Sequence, residues 1–542
     1  MREKPFAITL DVGSSLANKT GSWRVERPVY VDRLPPCNQG CPAGEDIQGW
    51  LYLAEAGDFE GAWRRLMEAN PLPAVMGRAC FHPCETACNR AQVDEAVGIN
   101  GIERFLGDRA VARGWEVPVD APPSGRRVLV VGSGPAGLSA AYHLRLLGHG
   151  VEVRDSAEAP GGMLRYGIPA YRLPRDVVDA EVARLEAMGV TLVMDCPVTD
   201  AARAVEEGGF DAVFVGVGAQ RGRRAEIPAG DAGRVVDAVS LLHGLEEGRP
   251  AALGRRVVVY GGGDTAMDAA RTAERLGATE TVVVYRRNRD RMPAHDEEIE
   301  DAVAEGVRMR WLSTVSRVEG GHLVVERMEL DADGFPQPTG ELEELEADSL
   351  VLALGQDADL SLLDGIEGVR TEGGVVAVDA DQATGHPGVF AGGDVVGGER
   401  TITAAVGEGR RAAAAIDAYL DGRTPEPPAE RLPATADRLN TWYYEDAPKT
   451  IRPRLEAARR RSTFDEVVGG LDEEEALFEA RRCLSCGNCF ECDNCFGVCP
   501  DNAVIKLGPG QRYRFDLDFC KGCGICVQEC PCGAIDLVPE PR

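Results

Sequence analysis

No run of about 18 apolar residues, the length that a membrane-crossing helix needs, occurs anywhere in the chain. No apolar segment follows Met1–Lys4 either, so neither a secretory leader nor membrane insertion is expected, and the reading is a soluble chain in the reducing cytoplasm. Basic charge is also short. The 59 Lys and Arg residues face 88 Asp and Glu residues, leaving a net charge of −29. Such a surface repels phosphate backbones, so nucleic-acid binding is not expected. The acidity fits a solvated surface and acidic helices. There is no tandem repeat and no visible Ser/His/Asp constellation. His295 in "RMPAHDEE" reads as a surface residue, and no general acid or base stands out.

Cysteine, by contrast, is plentiful and clustered. Of 17 cysteines, five lie between Cys37 and Cys88 and eleven between Cys483 and Cys532, with Cys196 alone. In a reducing compartment these are poor disulfide candidates and good metal ligands. Near the C-terminus the spacing C-x2-C-x2-C-x3-C-P occurs twice. It fits Cys489, Cys492, Cys495, Cys499 and Pro500, and again Cys520, Cys523, Cys526, Cys530 and Pro531. Two complete runs of this kind resemble the bacterial two-cluster ferredoxin, in which the fourth cysteine of each run ligates the other cluster. The resemblance implies one [4Fe-4S] cluster on Cys489, Cys492, Cys495 and Cys530, and one on Cys520, Cys523, Cys526 and Cys499. Iron in such clusters takes soft, charged thiolate ligands; zinc, the rival for an isolated C-x2-C, is a poor match for two full runs. Cys532 has no place in this scheme, and Cys483 and Cys486 precede it.

The middle of the chain has a different texture. From Arg127 to about Leu420, short Val-rich strands alternate with amphipathic helices, which is α/β patterning. "RRVLVVGSGPAGLSAAYHLRLLGHGVEVRD" reads as strand, Gly132-x-Gly134-x-x-Gly137, helix, second strand and an acid, Asp155, with Glu152 as the lesser choice. The glycines allow a tight turn and close approach to a pyrophosphate, the helix start offers free N–H groups, and the acid takes ribose hydroxyls. "RRVVVYGGGDTAMDAARTAERLGATETVVVYRR" repeats the unit with Gly261, Gly263 and Ala266. Its second strand ends in Arg286 and Arg287, which suit a 2′-phosphate and favour NADP over NAD. Solvated arginines at a strand end are the alternative. "HPGVFAGGDVVGGERTITAAVGEGRR" then returns to the first unit, placing Gly392, Gly393 and Asp394 before a small-residue helix, where an acid can hold a flavin ribityl chain.

These motifs resemble the glutamate synthase small-subunit family, which includes the flavin half of dihydropyrimidine dehydrogenase. The resemblance rests on "GSGPAGLSAA", "GGMLRYGIPAYRLP", "GGGDTAMDAAR", "VYRR", "LALGQ" and "VFAGGDVVGG", and covers residues 35–420. It implies FAD in the first unit, with Gly132, Gly134, Pro135, Ala136, Gly137, Asp155, Gly162, Leu164, Arg172, Gly393, Asp394 and Thr403 around it. It implies a nicotinamide dinucleotide on Gly261, Gly263, Asp264, Thr265, Arg286 and Arg287. It also implies two [4Fe-4S] clusters in an N-terminal helical domain. In the family pattern, Cys41, Cys80, Cys84 and position 103, here Glu103, hold one, while Cys37 and Cys88 belong to the other, whose first two ligands are missing from this N-terminus. "LDEEEALFEARRCLSCG" looks like that missing part displaced to the C-terminal side. Cys483 and Cys486 are therefore expected to fold back and complete a cluster with Cys37 and Cys88. Spare thiols, extra ligands for the tail, or one cluster shared by the five early cysteines are the alternatives.

The expected organisation is a multidomain α/β chain. It comprises an arm (1–34), a helical iron–sulfur domain (35–120), a FAD domain in two parts (125–235 and 351–420), an NAD(P) domain (236–350), a linker with a helix (421–482) and an α+β ferredoxin-like tail (483–542). NAD(P)H gives two electrons as a hydride, clusters carry one, and a flavin handles both. The expected activity is an oxidoreductase exchanging hydride with NAD(P)H and passing single electrons to or from a partner. The partner would be other subunits of a complex, such as a 2-oxoacid:acceptor oxidoreductase, or ferredoxin. A glutamate synthase small subunit, a free NAD(P)H:ferredoxin oxidoreductase, and a non-catalytic cluster-holding protein are the other readings.

Overall fold

In the computed structural model, residues 19–223, 234–319, 322–424 and 430–541 are described. The first part of the arm, residues 1–18, and linker residues 425–429 lie outside them. The Val-rich segments after Arg127 form a five-stranded parallel sheet. Its strand order is Val389–Ala391, Ala212–Val215, Arg127–Val131, Gly150–Arg154 and Thr191–Val193. Such strands are covered on both faces, so they read as continuous apolar runs rather than alternations. A second parallel sheet has the order Arg308–Arg310, Glu280–Val284, Arg256–Gly261, Ser349–Ala353 and Arg234–Asp237. It is inserted between strands of the first. It carries an antiparallel annex of Ser313–Glu319, His322–Leu330 and Pro336–Glu346, which the α/β reading did not single out.

The helix Ile402–Leu420 returns the chain to the first sheet. Thr401 caps it, accepting from Ala404 N at 3.2 Å. It lies close along the helix Pro135–Leu146, because a Cβ on Gly409 would stand 2.2 Å from Ala136 O. The N-terminal helices Ile47–Glu55, Phe59–Met67, Pro73–Ala79 and Ile99–Arg113 share one core with the first sheet, where Trp50, Trp63, Leu66 and Tyr142 are fully buried.

Both ends of the chain contribute to the tail. Glu26–Tyr30, set apart in sequence as an arm, pairs antiparallel with Ile535–Pro539, so it supplies a strand to the ferredoxin-like unit. The linker is a strap rather than a spacer. Its Glu466 pairs with Arg78 and Arg104 of the helical domain, Val467 N donates to Tyr171 O at 2.9 Å, and Arg460 pairs with Asp301 and Glu305 of the second α/β unit.

Candidate functional site

Each glycine loop leaves the C-terminal end of a central strand and opens a 12-residue helix, Pro135–Leu146 or Asp264–Arg275. The residues before these helices, Gly134 and Gly263, give no side-chain cap, so the first N–H groups are free for an anion. Gly132 has φ +103°, and any Cβ there would meet Gly216 O at 2.4 Å. Among the described residues, Gly134 and Gly263 have no neighbouring atom within 4 Å of a built Cβ, a cradle that a ligand can approach.

The two units face one cavity of about 580 Å³. It is lined by Gly132, Gly134, Pro135, Ala136, Asp155, Gly162, Arg172, Gly393 and Asp394 from the first unit, and by Asp264 and Thr265 from the second. Asp155 accepts from Ser133 N and Oγ, both at 2.6 Å, while Glu152 turns away to Arg127 and Arg154. Gly393 N donates to Glu408 Oε2 at 2.6 Å, and burial raises the carboxyl pKa of Asp394.

Other predicted residues do not line this cavity. Gly137 closes the turn, since a Cβ there would stand 1.9 Å from Gly132 O, and Leu164 is buried in the core. Gly261, whose Cβ would meet Ala353 O at 2.1 Å, is likewise a turn glycine. Arg286 and Arg287 follow the strand Glu280–Val284 and lie off the cavity, and buried Arg287 Nε has no hydrogen-bond partner among the described residues. Thr403 belongs to the cavity helix but donates to Cys80 Sγ at 3.0 Å. Arg172 spans the two units, pairing with Asp268 and Glu298, each at 2.7 Å. His295 is a surface residue, its side chain 42% exposed, yet its ring stacks on Phe81 at 3.4 Å and its Nδ1 lies 3.0 Å from Asp264 Oδ2. That carboxylate raises the His295 pKa.

Ala79 and Phe81 also line the cavity; Cys80, between them in the chain, does not. Cys80 stands with Cys41, Cys84, Glu45 and Glu103, close enough for their charges to interact. Asn70 Nδ2 donates to Glu45 at 2.9 Å and to Glu103 at 2.7 Å. Burial pushes the Cys80 thiol up to about 12 and raises the Glu103 carboxyl. Ionising the whole set requires a cationic centre among them.

The second cysteine group is assembled by the fold-back. Cys37, Cys88, Cys483 and Cys486 wall a small void with Leu51, Ile99 and Leu484. The helix Glu473–Arg481 starts with a capping box, Asp472 with Glu475, and rests on Ile47–Glu55 and Ile99–Arg113. Glu479 accepts from Gly98 N at 2.8 Å. Arg482, 2% exposed, pairs with Asp94 at 3.2 Å and donates to the carbonyls of Glu95 and Ala96 at 2.7 and 3.0 Å. Glu479 and Arg482, missed in the sequence, are what hold the cysteines there.

In the tail, Cys499, Cys520, Cys523 and Cys526 wall another void. Cys489, Cys492, Cys495 and Cys530 form the remaining group, with Tyr30 Oη 3.5 Å from Cys495 Sγ. Cys532 is buried, with its Sγ 3.7 Å from that of Cys530, and its carbonyl accepts from Gly487 N at 2.6 Å, next to Cys486. Among the described residues no His, Cys, Asp or Glu set converges as tightly as one bare metal ion requires, and no cysteine is in a disulfide.

Residues 126–409 match the pyridine nucleotide-disulphide oxidoreductase family, over half of the chain. The chain belongs to this family. Residues 26–115 match dihydropyrimidine dehydrogenase domain II, 4Fe-4S cluster, and residues 513–536 match the 4Fe-4S binding domain. The NADP(+)-dependent formate dehydrogenase subunit beta of Moorella thermoacetica is 37% identical over 496 residues, covering 83% of this chain and 70% of that protein. The NADPH-Fe(3+) oxidoreductase subunit beta of Geobacter sulfurreducens is 32% identical over 518 residues, covering 85% and 77%. The glutamate synthase [NADPH] small chain of Azospirillum brasilense is 35% identical over 426 residues, covering 73% and 88%. This member of the pyridine nucleotide-disulphide oxidoreductase family is thus an NAD(P)H-dependent flavin and iron–sulfur oxidoreductase. Among the described residues no helix is long and apolar enough to cross a membrane.

Proposed function

We propose that the chain is the electron-transfer subunit of a larger oxidoreductase, linking NADP(H) to a partner that works with single electrons. The observation that carries this is the cavity shared by both glycine-loop units, with Cys80 immediately behind its wall. When bound, NADPH supplies a hydride, FAD takes the pair and releases single electrons, and [4Fe-4S] clusters carry them one at a time.

The donor chemistry fits each group. Gly132, Gly134 and the free start of Pro135–Leu146 would take the FAD pyrophosphate, Asp155 the ribose and Asp394 the ribityl chain. Gly263, Asp264 and Thr265 would hold the second dinucleotide, and Arg286 and Arg287 its 2′-phosphate. Four cysteine groups would hold four clusters. Cys41, Cys80 and Cys84 with Glu103 form one, Cys37, Cys88, Cys483 and Cys486 the second, Cys489, Cys492, Cys495 and Cys530 the third, and Cys499, Cys520, Cys523 and Cys526 the fourth. Gly487 N donates to Cys532 O, a link between the segment that carries Cys486 and the one that carries Cys530, and this supports passage of electrons from the second group to the third.

The two beta-subunit relatives act, by name, with formate or Fe(3+), and neither name is that of a 2-oxoacid enzyme. A substrate-oxidising subunit of the formate-dehydrogenase kind is therefore the first partner to test. The small-chain relative leaves glutamate synthase as a second reading. Anaerobic NADPH is expected to bleach the flavin absorbance within seconds and then to bring up reduced-cluster EPR signals. No bleaching with NADPH or NADH refutes the reading. Untagged purification from the native host then names the partner by co-elution: a formate- or 2-oxoacid-oxidising subunit supports a complex, and a glutamine-amidotransferase subunit supports glutamate synthase.

A further inference from the structure

Thr403 is the second residue of the helix Ile402–Leu420. Its neighbours Thr401, Ile402 and Ala405 line the dinucleotide cavity. Thr403 does not. It is 4% exposed, and its Oγ1 donates to Cys80 Sγ at 3.0 Å. As the second residue of the helix, Thr403 has no intrahelical carbonyl one turn back to take its proton; here the proton goes to sulfur. The same sulfur accepts from His82 N at 3.2 Å. Cys80 is also the cysteine whose two chain neighbours, Ala79 and Phe81, both border the cavity. One short stretch of helix therefore forms cavity wall on one side and a sulfur contact on the other.

We infer that Thr403 is a potential-setting residue for the cluster nearest the flavin cavity rather than a flavin ligand. This rests on the reading above that Cys80 ligates a [4Fe-4S] cluster. A ligand thiolate has no proton, so the hydroxyl must be the donor. Reduction adds one negative charge to the cluster, and a donor aimed at a ligand sulfur stabilises the more negative state more than the less negative one. The cluster beside Thr403 is thus easier to reduce than the same cysteines would make it alone. Its position behind the cavity wall makes that bias useful, since it favours single-electron uptake from the side where the flavin would lie. The hydroxyl is buried, and a valine methyl fills its place, so the valine variant leaves no room for a water to donate in its stead.

The test is an anaerobic redox titration of the full-length, cluster-loaded protein followed by EPR, on Thr403→Val and Thr403→Ser. Valine keeps the shape and removes the donor; serine keeps the donor. In Thr403→Val one cluster signal is expected to move to lower potential, with the other signals and the iron-to-flavin ratio unchanged. Thr403→Ser is expected to restore the wild-type potential. Should Thr403→Val fail to fold, Thr403→Ala removes the same donor with less bulk and must give the same downward shift. Unchanged potentials in the donor-free variant, with iron and flavin retained, overturn the inference. So does loss of flavin with unmoved cluster potentials, which returns Thr403 to the flavin site. Failure of the underlying reading looks different: Cys80→Ala would then leave the iron content of the protein unchanged.

Discussion

Replacing both Cys483 and Cys486 by alanine removes two of the four thiols around the void between the helical domain and the tail. The fold-back itself should survive. Arg482 remains bound to Asp94 and to the Glu95 and Ala96 carbonyls, and Glu479 remains bound to Gly98 N. Those contacts do not involve the cysteines, so the loss is local to one cluster. With four cysteine groups, the intact protein is expected to hold about sixteen irons per flavin, and the double variant about twelve. Spin integration of the fully reduced protein should fall by about a quarter. Cys37→Ala with Cys88→Ala should cost the same four irons or so, and all four substitutions together should cost no more, because they dismantle one site. The assay is iron and flavin quantitation with EPR on anaerobically purified protein. An unchanged iron-to-flavin ratio refutes the assignment. A loss of about eight irons when the two pairs are combined also refutes it, because the pairs would then serve different clusters.

Three further outcomes are expected. Gly134→Ala and Gly263→Ala place a methyl group where, among the described residues, no neighbouring atom lies within 4 Å, so both variants should fold. Gly134→Ala should lose flavin, and Gly263→Ala should raise KM for NADPH about tenfold or more with flavin and iron retained; Gly137→Ala, whose Cβ meets Gly132 O at 1.9 Å, should instead yield insoluble protein. Arg286→Ala with Arg287→Ala should weaken NADPH use relative to NADH by about 10- to 100-fold in kcat/KM, and an unchanged ratio removes these residues from the 2′-phosphate. Burial raises the carboxyl of Glu181 to about 7, despite Arg184 and the Ala74 N–H beside it. The unfolded carboxyl titrates near 4.3, so between there and about 7 the folded state holds a proton that the unfolded state has lost, and stability falls as pH rises through that window, by ~4 kcal/mol at most. Glu181→Gln should remove this fall, so its Tm should gain on wild type between pH 5 and pH 8; a constant Tm difference contradicts the cause.

Much of the site was legible because its chemistry is local. Strand, glycine turn and helix start must be adjacent in the chain to cradle a pyrophosphate, so Gly132, Gly134 and Asp155 could be read from spacing, while the grouping of the tail cysteines came from their resemblance to a two-cluster ferredoxin. The roles of Thr403, His295 and Arg172 were not legible in the same way. Each sits in or beside a recognisable motif, but its partner, Cys80, Asp264 or Asp268, lies far off in the chain, and the partner decides what the side chain does.

The amino-acid sequence by itself determined the kinds of ligand this protein offers: two phosphate cradles, a pair of arginines at a strand end, and sixteen clustered cysteines, soft donors of which all but Cys532 fit cluster spacings. Only the tertiary structure decided how they combine. It joined Cys37 and Cys88 to Cys483 and Cys486 across some four hundred residues, turned the arm Glu26–Tyr30 into a strand of the tail, and aimed Thr403 at a sulfur instead of the cavity. The reason is physical. Residue type and short spacing specify what an atom can bind, but which partner it meets depends on buried contacts, such as those of Arg482 and Glu479, that form only when distant segments pack together.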